Sequence, residues 1–347
     1  MMIENKLLLL LIGILLLMSL LIALFIYIII QRMLETSSLA KVEQYMKKHN
    51  VQLYLYLIEG KELSKDLIPH TGLDIRAIEE MLVRYTKNIS GEDVSFRITA
   101  YIERYLQEHY RKQLKSSKWS IRINTLYKIS DFRLYFLVND VFEMLNSQKK
   151  YSKQEYFQMY KVLATFESPI LISFLLHPKA DFGEMEYKKL LYYLNQQQFE
   201  ILIDQYESLP SILKNIIIDI VGMKNVVEFV PFLEKRLNDD SLETRIRALK
   251  SIDQIGLIRE IDLYLPFLQS PYWEERMMVA KLLVHVPMSE SLPYLQDLLK
   301  DSSWWVRSRA AQSIHSNKKG KEILESIKAT TNDRFVFDMV QEVIGKG

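Results

Sequence analysis

The chain has 347 residues, 49% apolar and 25% charged, with a net charge of +2 and no cysteine. That composition excludes disulfides, thiolate metal sites and a cysteine nucleophile, and its near-neutral balance is not that of a basic nucleic-acid tail or an acidic disordered segment. Ten glycines and nine prolines are few for an all-β fold, so an all-α chain is expected.

The first element is apolar on every face. Leu7 to Ile30 is 24 residues without a charge, about 36 Å as a helix and longer than the roughly 30 Å hydrocarbon core of a bilayer. It exceeds the apolar stretch of a cleavable signal peptide and carries no small-residue cleavage site, so a retained single-pass transmembrane anchor over residues 1–31 is expected. Lys6 and Glu4 flank it on one side. On the other stand Arg32, Lys41, Lys47 and Lys48, against Glu35 and Glu43. Counting Lys and Arg places the following domain in the cytoplasm, at the cell membrane.

Residues 32–114 are expected to form a juxtamembrane helical region, either the start of a longer helical array or its cap. Leu73–Ile89 and Asp93–Leu114 read as amphipathic helices. Residues 51–58 alternate like a strand, but no partner strand is evident, so they read as helix or packed connector.

From residue 115 to 347 the sequence repeats. Arg307, Ala310 and Ile314 fall, 31 residues earlier, on Arg276, Val279 and Leu283. A further 31 back lie Arg245, Ala248 and Ile252, and then Lys214, Ile217 and Val221. Trp119, Arg122, Thr125 and Ile129 match the same string far upstream. A preceding element recurs as Val230-Pro231-Phe232-Leu233, Leu265-Pro266-Phe267-Leu268 and Leu292-Pro293-Tyr294-Leu295, which predicts a short first helix opening on proline, where a missing N–H costs nothing. A polar turn and a second helix with one apolar stripe complete each unit, and residues 331–344 read as an atypical terminal copy.

The string Asp301, Val306, Arg307, Ala310, Ile314 resembles the second-helix pattern of the HEAT-repeat family, and Asp239, Thr244, Arg245, Ala248, Ile252 resembles it with Thr in place of Val. The resemblance implies an α-solenoid of stacked helix pairs and a protein-binding role without catalysis. It further implies that the arginines at 122, 245, 276 and 307 form a structural ladder, with Asp239 and Asp301 placed to receive them. Some HEAT-like families are similar to bilin lyases or DNA glycosylases, which gives an enzymatic alternative; the small net charge argues against a nucleic-acid partner.

Trp119, Trp273 and Trp304 each lie three residues before a repeat arginine, and Trp305 is adjacent. They read either as a ridge that grips a partner or as rings sealing each second helix against the next repeat; equal phase in each repeat is what packing predicts. Arg111, Lys112, Lys115 and Lys118 belong to an acid-free run that either faces an anionic lipid surface or a partner, or is a solvated face. The six histidines show no metal-ligand spacing. Asp181-Phe182-Gly183 lacks the other kinase motifs, and Asn88-Ile89-Ser90 is a glycosylation sequon only on an exported face. No cofactor, metal or small-molecule substrate is expected. The expectation is a membrane-tethered scaffold for an unidentified protein partner, one that organises a neighbouring membrane enzyme or an envelope or secretion machine.

Overall fold

The computed structural model describes the backbone of residues 2–89 and 91–346 and the side chains of residues 13–89 and 91–345. The side chains of residues 7–12, which begin the expected anchor, those of its Glu4 and Lys6 flank, and Ser90 of the sequon lie outside the described residues. Among the described residues every regular element is a helix. By internal contacts the chain forms two compact units, 1–162 and 163–347.

The first unit begins with α1 (Met2–Leu57), a single helix of 56 residues. It continues without a break past residue 31, where the expected anchor ends. The sequence beyond Ile30 stays helix-forming, with no Gly or Pro to end it, and changes only its pattern, from apolar all round to one apolar stripe. Val42, Met46, Leu53 and Leu57 of that stripe are buried, whereas the apolar side chains from Ile14 to Ile30 are exposed. Residues 51–57 are therefore helix, not strand. Packed on the lower part of α1 are α2 (Gly72–Asn88) and α3 (Glu92–Tyr105). Thr71 and Asp74 close a capping box at the start of α2, satisfying two N–H groups that a helix start leaves without partners.

The long helix expected over Asp93–Leu114 is broken at Leu106, which separates α3 from α4 (Gln107–Leu114). α5 (Trp119–Asp131) packs on α4, and Thr125 Oγ1 donates to Gln113 Oε1 across the pair at 2.9 Å. Lys128 of α5 reaches Glu79 of α2 at 2.7 Å. The first copy of the repeat thus packs against the helices that precede it. α6 (Val138–Asn146) follows, and α7 (Lys153–Thr165) contains the point where the two units divide.

The second unit is an α-solenoid. It comprises α8 (Ile170–Leu176), α9 (Glu184–Tyr192), α10 (Gln196–Asp204), α11 (Ser211–Lys224), α12 (Val230–Arg236), α13 (Leu242–Ile255), α14 (Trp273–Leu282), α15 (Met288–Leu298), α16 (Trp304–His315), α17 (Gly320–Thr330) and α18 (Arg334–Lys346). The second helices stack in series: α9 on α11, α11 on α13, α13 on α14, α14 on α16, α16 on α18. The apolar stripe read from the 31-residue period is their shared core, with Val221, Ala248, Ile252, Val279, Ala310 and Ile314 fully buried. Each such Val or Ile contributes roughly 1.5–3 kcal/mol on leaving water.

Small residues set the spacing of the stack. A Cβ on Gly222 would lie 2.7 Å from Ser251 Cα, so α11 and α13 touch backbone to backbone there. Ser251 Oγ donates to Ile218 O at 2.9 Å, and Ser313 Oγ donates to Ala280 O at 2.7 Å. These bonds tie α13 to α11 and α16 to α14. Gly256 ends α13 in the left-handed conformation at φ 71°, which glycine adopts without the steric cost of a Cβ.

The proline rule holds for one of its three expected sites. Pro231 opens α12, but Pro266 opens a 3₁₀ turn, Leu265–Gln269, and Pro293 sits inside α15. α15 starts five residues earlier, at Met288, because Pro287 with its extended backbone sets the helix start there.

Candidate interaction surface

Trp119, Trp273 and Trp304 are each the first residue of a second helix, α5, α14 and α16. The arginine three positions on therefore points back along the helix, over the turn that precedes it. In each case it closes that turn. Arg122 Nη1 donates to Ser116 O and Ser117 O, both at 2.8 Å. Arg245 does the same to Asp239 O and Asp240 O at 2.8 and 3.0 Å, Arg276 to Ser270 O at 2.7 Å, and Arg307 to Asp301 O and Ser302 O at 2.7 and 3.0 Å.

The remaining guanidinium edge reaches an acid one repeat later. Arg122 Nε meets Glu155 Oε1 at 2.7 Å, Arg245 Nε meets Glu275 Oε1 at 2.6 Å, and Arg276 meets Asp301 through two bonds of 2.6 and 2.9 Å. Asp301 thus receives an arginine through its carboxylate. Asp239 does not: its carbonyl receives Arg245, and its carboxylate instead accepts the Ser241 N–H at 3.0 Å. The acids Glu155 and Glu275 were not among the residues singled out from sequence. Glu155 has a signal, since Ser152 and Glu155 stand in capping-box spacing.

These acids are held charged. Burial pushes the Glu155 carboxyl up, but Arg122 and the Ser152 N–H and O–H together bring it below the ordinary value. Asp301 follows the same logic: burial raises it, and Arg276, the Ser303 N–H and Arg307 bring it down. Lys214, the repeat cation of α11, has only a long contact to Glu207, at 3.5 Å, and a position over the Tyr206 ring.

Arg307 breaks the series. Among the described residues it has no acid; its guanidinium lies over the Phe335 ring, 5.2 Å from the centroid, and its Nε is buried without a hydrogen-bond partner. The first turn of α18 carries no acidic residue, whereas that of α14 carries Glu274 and Glu275.

The tryptophans also differ along the chain. Trp119 is tied down, its Nε1 donating to Ser152 Oγ at 2.9 Å. Trp273 is half-buried and stacks on Trp305 at 6.3 Å between centroids, and Trp305 meets Trp304 edge to face at 4.9 Å. Trp304 and Trp305 are nevertheless 43% and 57% exposed, and Tyr272, next to Trp273 in sequence, and Phe335, whose ring lies against Arg307, are exposed as well. Packing and an open ridge thus coexist here: one ring of the cluster seals the repeat and the others face water.

The basic run is partly neutralised. Arg111 pairs with Glu108 at 2.9 Å and Asp140 at 3.3 Å, Lys128 with Glu79, and Arg122 with Glu155. Lys112, Lys115 and Lys118 are exposed. Among the described residues no three His, Asp or Glu side chains converge as metal ligands. Phe182 of the kinase-like triplet is a buried core residue whose ring meets Tyr187 edge to face.

Residues 261–336 match the family described as HEAT repeats. No curated protein matches the sequence. Among solved structures, an engineered protein is 14% identical, covering 88% of this chain and 99% of its own, with a TM-score of 0.36. The complex of CpcE and CpcF of phycocyanin lyase from Nostoc sp. is 14% identical, covering 69% and 93%, at 0.27. Human deoxyhypusine hydroxylase in complex with glycerol is 13% identical, covering 90% and 99%, at 0.27.

Proposed function

We propose that this chain, a HEAT-repeat protein over residues 261–336, is a membrane-tethered scaffold that captures another protein and catalyses no reaction of its own. One observation carries the binding part. Trp304 and Trp305 meet edge to face at the start of α16 with about half their surface in water. Large aromatics left exposed in a cluster mark contact sites, because covering them removes apolar area and costs little side-chain entropy.

Support for the tether comes from α1. The helix is long and apolar enough to cross a bilayer from Gly13 onward, and none of its most apolar window is buried against protein. A soluble core helix of that length would be covered. Because α1 runs without a break into the buried stripe of the first unit, the tether is a rigid post. The excess of Lys and Arg after Ile30 favours a cytoplasmic domain. A partner organised at the membrane, such as an enzyme or an envelope or secretion assembly, fits a solenoid held at that surface.

The test has two parts. The full chain should stay with the membrane after alkaline carbonate washing, and deletion of residues 7–30 should release it. Purification of the full chain from native membranes should recover a defined protein that is lost from the Trp304→Ala/Trp305→Ala double variant. Release of the full chain by carbonate rejects the tether, and unchanged recovery by the double variant rejects the ridge as the binding surface.

A further inference from the structure

The arginine ladder ends one acid short, and the shortfall has a location. Glu155, Glu275 and Asp301 each sit where an arginine of the preceding repeat reaches forward. At Arg307 the corresponding place is taken by the Phe335 ring, with Nε buried and unpaired. Asp301 already makes two bonds to Arg276 while facing Arg307 as well. One carboxylate between two guanidiniums leaves a surplus positive charge. Asp333 makes no ion pair with Arg307 among the described residues; its carboxylate accepts the Phe335 N–H at 2.8 Å at the start of α18. Arg334, almost wholly exposed, adds a further cation with only a long contact to Asp338, at 3.8 Å.

The covering ring is easily moved. Phe335 lies in the first turn of α18 and is 67% exposed, so a rotamer change uncovers Nε at the cost of one exposed cation–π contact. Trp304 and Trp305 lie three and two residues before Arg307 in the first turn of the same helix, α16.

We infer that Arg307 with Trp304 and Trp305 forms a docking site for an acidic, apolar-studded segment of a partner protein. A partner carboxylate takes the place of the absent rung, and an adjacent aliphatic or aromatic side chain lies on the tryptophans. This rests on the scaffold reading above and names the chemistry of its partner. A charged pair formed at a partly desolvated arginine is worth about tenfold or more in affinity.

The test uses the full chain in phosphatidylcholine nanodiscs and three labelled twelve-residue peptides followed by fluorescence anisotropy. One alternates Asp or Glu with Phe or Leu, the second has Lys in place of every acid, and the third has Ser in place of every apolar residue. The first should bind, more weakly at high salt, and at least tenfold more tightly than the other two. Arg307→Ala should weaken it about tenfold and Arg307→Lys by less. Phe335→Ala, which uncovers Nε, should tighten it severalfold, and this gain does not depend on how well the alanine variant at 307 folds. Equal binding of the lysine peptide, no binding of the first peptide, or no response to either Arg307→Ala or Phe335→Ala overturns the inference. A photo-crosslinker at position 305 in native membranes separates the two levels. A labelled partner whose crosslinked segment carries no acid sinks the acidic site and leaves the scaffold reading standing. No labelled protein together with no peptide binding sinks both.

Discussion

At Trp119 and at Trp304 the chain begins a helix in the same way, tryptophan first and arginine three residues on, yet the two places are finished differently. Around Trp119 each polar atom is matched. The indole bonds Ser152, Ser152 bonds Glu155, and Glu155 holds Arg122, with the last two only 1% and 6% exposed. Around Trp304 the arginine has no acid among the described residues and a phenylalanine lies over it, while the indoles face water at both places, Trp119 being 48% exposed. The same local sequence serves as a closed joint where the next helix pair supplies an acid and as a partly open one where it supplies a phenylalanine. The difference lies in what the next repeat provides, since the string itself is shared.

That comparison can be broken most decisively at the buried pair. Arg122→Ala strands Glu155 in the interior and should cost about 3–5 kcal/mol. Arg307→Ala leaves no acid behind and should cost about 1–2 kcal/mol, the loss of two carbonyl bonds and a ring contact. Urea unfolding of both variants reads the contrast directly, and equal losses would mean the ladder is not what joins the repeats.

Next in size is the close packing within the second unit. Gly222→Ala puts a methyl against the α13 backbone and should cost about 1–3 kcal/mol, seen as a lowered Tm. A neutral result would show that the close approach of α11 and α13 is not enforced.

Acid titration sharpens the electrostatic side. Glu155 and Asp301 are held below the ordinary carboxylate value in the folded chain. The stability they add is therefore complete above the unfolded carboxylate range, about pH 4, and is lost as pH falls through their folded values. Tm should fall between pH 5 and the acid limit, less steeply in Arg122→Ala, where the Glu155 carboxyl no longer has its arginine. A profile identical to that of the unaltered chain would deny Arg122 its effect on Glu155.

The smallest effects belong to the indoles. Trp119→Phe removes one bond to Ser152 and should cost about 1 kcal/mol, whereas Trp305→Ala on the open edge should change stability by about 0.5 kcal/mol or less.

How much of this the sequence carried depends on the period. The arginines, the buried stripe at Ala248, Ile252, Ala310 and Ile314, and the helix starts at the tryptophans recur at fixed spacing and were legible. Their acid partners were not, because turns of unequal length place Glu155 33 residues after Arg122 but Asp301 only 25 after Arg276. A strict 31-residue comb misses both. Asp239 misled for the opposite reason: it stands at the right position, but a turn carbonyl serves the arginine as well as a carboxylate does. The length of α1 was hidden by its change of pattern at Ile30, where the helix continues from apolar surroundings into an amphipathic register. The open state of Arg307 was invisible, since nothing in the string around it differs from that of a closed joint.

The claim that the Trp304–Trp305 edge receives a partner is tested most directly by placing one photo-crosslinking residue at position 305 and, separately, at position 119 of the full chain in native membranes. A discrete protein adduct is expected from 305 and none from 119. Adducts of equal yield from both positions, or from 119 alone, would contradict it.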